Sequence, residues 1–139
     1  MVDVALIYPY FRPSRDRSPF RFPPLGLGYI ASTLRDNGYS AHIIDCTFSE
    51  ESQVLRTVKE ISPRLVGIYS MFSMKSPAIH LAKLLRGECE LLVAGGPLPT
   101  LYPEEYLEAF DVVCVGEGEV TMLELVQALD MGRDLSSVK

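Results

Sequence analysis

Pro23-Pro24-Leu25-Gly26-Leu27-Gly28-Tyr29-Ile30-Ala31 is an uncharged stretch that opens the first predicted helix, Leu25 to Asn37. Leu27, Ile30 and Leu34 recur at helical spacing, and Gly38 supplies a left-handed stop. Upstream, Val2 to Tyr8 holds Val4, Ala5, Leu6 and Ile7, an apolar run suited to a strand covered on both faces. Between strand and helix lies Pro9 to Pro24, sixteen residues with no regular pattern. Connections that long in a compact α/β domain are usually functional or mobile. This one carries Arg12, Arg15, Arg17 and Arg21 against Asp16, a basic patch suited to a phosphate, a carboxamide rim, a neighbouring domain or plain solvent.

Downstream the chain alternates. Ser40 to Asp45 reads as a strand, and Ser49 is placed to cap a helix from Glu50 to Ile61 with Val54, Val58 and Ile61 inward. Leu65 to Ser70 is a third strand, and Ser76 and Pro77 mark the start of a helix with Ile79, Ala82 and Leu85 inward. Leu91 to Ala94 is a fourth strand, followed by a turn from Gly95 to Thr100 and a short helix from Pro103 to about Phe110. Asp111 to Val115 is a fifth strand, and the last helix turns Met122, Leu123, Val126 and Leu129 inward. Residues 1–131 form one domain in this reading, and the pattern lapses over 132–139, as at the start of a linker. Five βα units in alternation predict a three-layer α/β fold: a doubly wound parallel sheet, flavodoxin-like or Rossmann-like, in the order 2-1-3-4-5.

Ligands of such sheets bind outside the carboxyl ends of the strands, at the switch point in strand order. Four turns converge there: Leu25-Gly26-Leu27-Gly28, Ser70 to Ser73, Gly95-Gly96-Pro97 and Gly116-Glu117-Gly118-Glu119. They hold six of the ten glycines, which let backbone approach a ligand closely. Ser70 and Ser73 add hydroxyls, and helix starts at Gly28 and Glu119 offer free N–H groups to an anion. Net charge of −5, without a basic face, excludes nucleic acid. The longest uncharged run, 13 residues, is too short to span a bilayer, and a strand starting at Val2 leaves no room for a signal peptide, so a cytoplasmic protein is expected. Cys46, Cys89 and Cys114 form neither a CxxC pair nor a disulfide set and are expected as buried or half-buried thiols, with Cys114 beside a ligand turn.

No Ser-His-Asp or Cys-His arrangement, P-loop or paired metal ligands occur, and His42 and His80 fall away from the turns. A binding domain is expected rather than a self-sufficient catalyst. A receiver domain lacks its acids here, and a flavin mononucleotide loop lacks its Ser/Thr-rich turn, because Pro9-Tyr10-Phe11 follows the first strand. A dinucleotide remains a rival. Gly26-Leu27-Gly28-Tyr29-Ile30-Ala31 fits G-x-G-x-x-G/A, with Asp45 19 residues beyond Gly26, although 17 residues separate Tyr8 from Gly26.

Taken together, these motifs resemble the N-terminal cobalamin-binding domain of cobalamin-dependent radical SAM proteins, a group that includes the anaerobic magnesium-protoporphyrin IX monomethyl ester cyclases and many methyltransferases. Pro23 to Ala31 resembles P-P-x-G-L-x-Y-L-A; Gly95-Gly96-Pro97-Leu98-Pro99-Thr100 resembles the family's G-G turn; Asp111 to Glu119 matches D-x-V-x-x-G-E-G-E. Against the methionine-synthase type, with D-x-H-x-x-G before S-x-L, forty-one residues separate Gly28 from Ser70, as in that type, and Ser70-Met71-Phe72 stands at S-x-L. Leu25 falls where the cobalt-ligating histidine belongs, and Pro23 where its aspartate partner belongs.

The resemblance implies cobalamin bound with its tail displaced and no histidine on cobalt, the dimethylbenzimidazole entering a slot beside the third and fourth strands. Ser70, Gly95 and Gly96 would line that slot, with Gly116 to Glu119 near the tail's sugar and phosphate, and Gly96→Val would crowd it. A 4Fe-4S cluster and S-adenosylmethionine would belong to a C-terminal radical SAM domain of the same parent chain, since C-x-x-x-C-x-x-C is missing here. The alternative within the fold is a standalone binding protein.

Overall fold

The computed structural model describes residues 2–11 and 24–138; the four loop arginines and Pro23 lie outside them. Strand β1 (Val4–Tyr8) leads to α1 (Leu25–Asp36), then β2 (Ala41–Asp45), α2 (Glu51–Ile61) and β3 (Leu65–Tyr69). Helix α3 (Lys75–Leu85), β4 (Leu91–Gly95), α4 (Pro97–Leu101), β5 (Val112–Val113) and α5 (Glu119–Met131) complete the order. The sheet is parallel throughout and ordered β2-β1-β3-β4-β5, as expected.

Strand alternation explains the layers. Ala5, Ile7, Val66, Ile68, Leu92 and Ala94 face one side, where they pack under α2 and α3. Val4, Leu6, Leu65, Leu91 and Val93 face the other, under α1 and α5. Both faces being covered, the central strands are nearly continuous apolar runs.

Several local expectations are corrected. Ser49 does not cap α2. Glu50 does, through a capping box in which Gln53 Oε1 accepts from the Glu50 N–H at 2.9 Å. Helix α3 begins at Lys75 after a 3₁₀ turn over Phe72–Met74, which places Ser76 and Pro77 inside its first turn. The turn after β4 winds into α4, and the segment from Pro103 is a 3₁₀ turn followed by further turns rather than a helix to Phe110. Strand β5 pairs through two residues only. In α5 the fully buried positions are Met122, Leu125, Val126 and Ala128, while Leu123 and Leu129 flank them half-buried. Leu135 and Val138 also pack against this layer.

At the amino-terminal pole Arg64 pairs with Asp130 and Glu90. The Arg64 guanidinium and the Tyr39 phenol hold the Asp130 carboxyl below its usual range. These contacts are structural and lie at the opposite end of the sheet from the glycine turns. Among the described residues no helix is long and apolar enough to cross a membrane.

Candidate functional site

The special turns meet at the carboxyl edge of the sheet. Between the α1/α5 layer and strands β1, β3 and β4 a slot of about 110 Å³ opens to solvent. It is far smaller than a pocket that swallows a whole cofactor. Gly26, Gly95, Gly96, Gly116 and Gly118 line it, drawn from three of the four turns. Its remaining walls are mainly Leu6, Ile30, Val93, Cys114 and Met122. It adjoins a larger hollow of about 340 Å³ formed by Tyr8, Pro24, Leu25 and Met71, which shares Gly26, Leu27 and Tyr69 with it.

The slot exists because side chains are missing. Alternation along β3 turns Leu65, residue 67 and Tyr69 toward α1 and α5, and residue 67 is glycine. A Cβ there would lie 3.0 Å from the Met122 Cε and 3.1 Å from the Leu6 Cδ2. Gly67 therefore floors the slot, and Met122 stands over it. Sequence reasoning overlooked this residue, although an interior strand glycine marks close approach by a ligand or another chain.

Gly96 does a different job. Its φ is +113°, and a Cβ would fall 2.6 Å from the Ser70 carbonyl oxygen and 3.1 Å from the Ser70 nitrogen. Gly96→Val would thus collide with backbone before it crowded the slot. Ser70 is fully buried, and its hydroxyl shares a 2.7 Å hydrogen bond with the Tyr106 phenol, on the α2/α3 side of the sheet. Its N–H donates to the Gly95 carbonyl at 2.8 Å. Ser70 ties the turns together rather than lining the slot.

Of the other expected site residues, Leu25 lines the hollow, while Gly28, Ser73, Pro97, Glu117 and Glu119 line neither the hollow nor the slot. Leu25 is 66% exposed at the start of α1. Gly28 lies one helical step behind the slot wall, and Ser73 is exposed in the 3₁₀ turn. Pro97 begins α4 at the surface; Glu117 is exposed, and Glu119 is half-buried at the first position of α5. His42 is exposed on β2, and His80 pairs with Glu51 at 3.0 Å, both outside the slot and the hollow.

Among the described residues, those lining the slot and the hollow carry no charged side chain. Burial raises the Tyr8 phenol, with Tyr69, Asp45 and Tyr10 adding to the effect, and burial alone raises Tyr69. These two rings stand 5.4 Å apart, forming an uncharged aromatic edge. Burial also pushes the Cys114 thiol up, against a hydrogen bond from Thr121. Cys46 is pushed up to about 12 by burial and Asp45, and Cys89 is half-buried, in line with the expectation for the thiols. Among the described residues no cluster of three His, Cys, Asp or Glu side chains could hold a metal ion. Asp45, the residue expected to meet a dinucleotide ribose, accepts from the Thr47 N–H at 3.0 Å and from its hydroxyl at 2.6 Å, both at Oδ1.

The family model for the B12 binding domain matches residues 14–126. The chain belongs to the B12-binding domain family. This B12-binding domain is 37% identical over 126 residues to an uncharacterized methyltransferase from Pyrococcus horikoshii, with 84% of the chain and 27% of the relative covered. It is 31% identical over 127 residues to the anaerobic magnesium-protoporphyrin IX monomethyl ester cyclase of Synechocystis, with 85% and 26% covered. The chain thus spans about a quarter of the length of these curated relatives. Its fold superposes on that of the cobalamin-dependent S-adenosylmethionine radical enzyme OxsB, solved with aqua-cobalamin and S-adenosylmethionine bound. The TM-score is 0.85 at 21% identity, over 100% of this chain and 20% of that one.

Proposed function

We propose that this domain is the cobalamin-binding module of a larger radical SAM enzyme, of methyltransferase or anaerobic cyclase type. It holds cobalamin with the dimethylbenzimidazole tail displaced into the slot and with no histidine on cobalt. The observation that carries the reading is the glycine-walled slot at the carboxyl edge of β1, β3 and β4, open beside an apolar, uncharged rim. Its size suits a small planar ring and leaves a macrocycle to rest outside. Gly26, Gly67 and Gly95 would hold the base, and Leu25 would lie beneath the corrin in place of an imidazole ligand. Gly116 to Glu119 would stand near the tail's sugar and phosphate.

The chain's two histidines lie away from the opening, which supports a cobalt without protein nitrogen. Bound cobalamin supplies a cobalt centre that can carry a methyl group or exchange electrons; this chain's part is to bind, orient and shield it. The 4Fe-4S cluster and S-adenosylmethionine belong, in this reading, to a radical SAM domain of the same parent chain. Residues 1–131 form the module, and 132–139 lead toward that domain.

Titration with hydroxocobalamin, followed by visible absorption, tests the proposal. The expected result is saturable binding with the spectrum of a tail-displaced form that is unchanged in a His42→Ala/His80→Ala variant. Binding that keeps the tail on cobalt, or no binding, overturns it.

A further inference from the structure

Among the described residues the slot is lined mainly by carbon and sulfur, with the Tyr69 phenol and the first-turn N–H groups of α1 at its polar edge. Leu6, Leu27, Ile30, Val93 and Met122 are hydrocarbon or thioether. Several backbone groups of the glycine turns are engaged. The Gly95 carbonyl accepts from the Ser70 N–H at 2.8 Å, and the Gly118 carbonyl accepts from the Met122 N–H at 2.8 Å. The Gly96 carbonyl accepts both from the Thr100 N–H at 3.1 Å and from its hydroxyl at 2.8 Å, while the Gly116 N–H donates to Thr100 Oγ1 at 3.0 Å. The buried Ser70 hydroxyl just after β3 is turned away to Tyr106, which leaves the Tyr69 phenol as the hydroxyl-bearing side chain of the lining.

We infer that the slot selects corrinoids by their tail base, accepting an apolar benzimidazole and discriminating against a purine such as adenine. This rests on the reading of the slot as the tail site. A benzimidazole presents mostly carbon to such walls. An adenine would bring an amino group and further ring nitrogens against a lining that is mostly carbon, and polar groups buried without partners weaken binding. Gly67 and Met122 set how deep the base can go, because a Cβ at residue 67 meets the Met122 methyl at 3.0 Å.

The test compares three corrinoids on the unaltered chain by spectroscopic titration: hydroxocobalamin, its adenine-tailed counterpart, and tailless diaquocobinamide. The expected order is cobalamin tightest, with the adenine-tailed form weaker by roughly tenfold or more. Gly67→Ala, which lifts Met122 into the slot, is expected to weaken cobalamin about tenfold and leave cobinamide unchanged. A Met122→Gln variant, which places an amide at the floor, is expected to narrow the gap between cobalamin and the adenine-tailed form. Equal affinity for the two tailed corrinoids overturns the selectivity while leaving the tail site standing. Equal affinity for cobalamin and cobinamide overturns the tail site itself, and the inference with it.

Discussion

Replacing Gly26 by leucine should make the domain more stable and a poorer cobalamin binder at the same time. Gly26 is the second residue of α1, and a Cβ built on it meets no heavy atom within 4 Å. The substitution therefore enters without a clash, and its side chain has the apolar slot to occupy. Losing a helical glycine contributes up to about 1 kcal/mol, less in a first turn. Burying about half a leucine side chain adds on the order of 1 kcal/mol. Together these predict a rise in Tm of about 4 °C for a domain of this size. The same side chain competes with the tail, so cobalamin binding should fall about tenfold, or about 1.4 kcal/mol, while cobinamide binding holds. Differential scanning fluorimetry and spectroscopic titration on one preparation read both signs. A Gly26→Leu chain with raised Tm and undiminished affinity for cobalamin would refute the placement of the base, since the fold would be intact and the slot filled.

Gly96→Ala should cost about 3 kcal/mol or more in urea unfolding, because φ of +113° and the 2.6 Å approach to the Ser70 carbonyl both oppose a side chain. Ser70→Ala and Tyr106→Phe should each cost about 1–2 kcal/mol, and the double variant less than their sum, since both single changes break the same buried 2.7 Å hydrogen bond. Asp130 titrates below its usual value beside Arg64 and Tyr39, so its contribution is full above about pH 4 and is lost as the pH falls through the lower folded value. Asp130→Asn should accordingly lower the thermal midpoint at neutral pH, with the gap to the parent closing in acid.

Strand order and the shared edge of the glycine turns were legible because they follow from element alternation and from where turns fall in a parallel sheet. The family resemblance rested on the same turns. Side-chain direction was not legible. Ser70 reads as a slot residue by position, yet Tyr106 captures its hydroxyl on the far side of the sheet, and nothing in the local sequence announces a partner 36 positions away. Gly67 reads as a weak spot in an apolar strand until the period of two sets it opposite Met122. The helix over Pro97–Leu101 was hidden by its two prolines, which suit a first turn as well as they suit a loop. Ser49 lost the capping position to Glu50 because Gln53 completes a reciprocal pair there.

Thr100 has a wider consequence. Its hydroxyl joins the Gly96 carbonyl to the Gly116 N–H, while Ser70 is stitched to Gly95 and Leu98 through the main chain. The loops after β3, β4 and β5 are thereby riveted into one plate. Helix α1 has no side-chain cap at its start and is not tied into that plate by Thr100 or Ser70, so widening that admits a ring is expected at its first turn. Amide exchange at Gly26 and Leu27 should accordingly run ahead of exchange at Leu98 and Gly116, making α1 the door leaf and the riveted plate its frame.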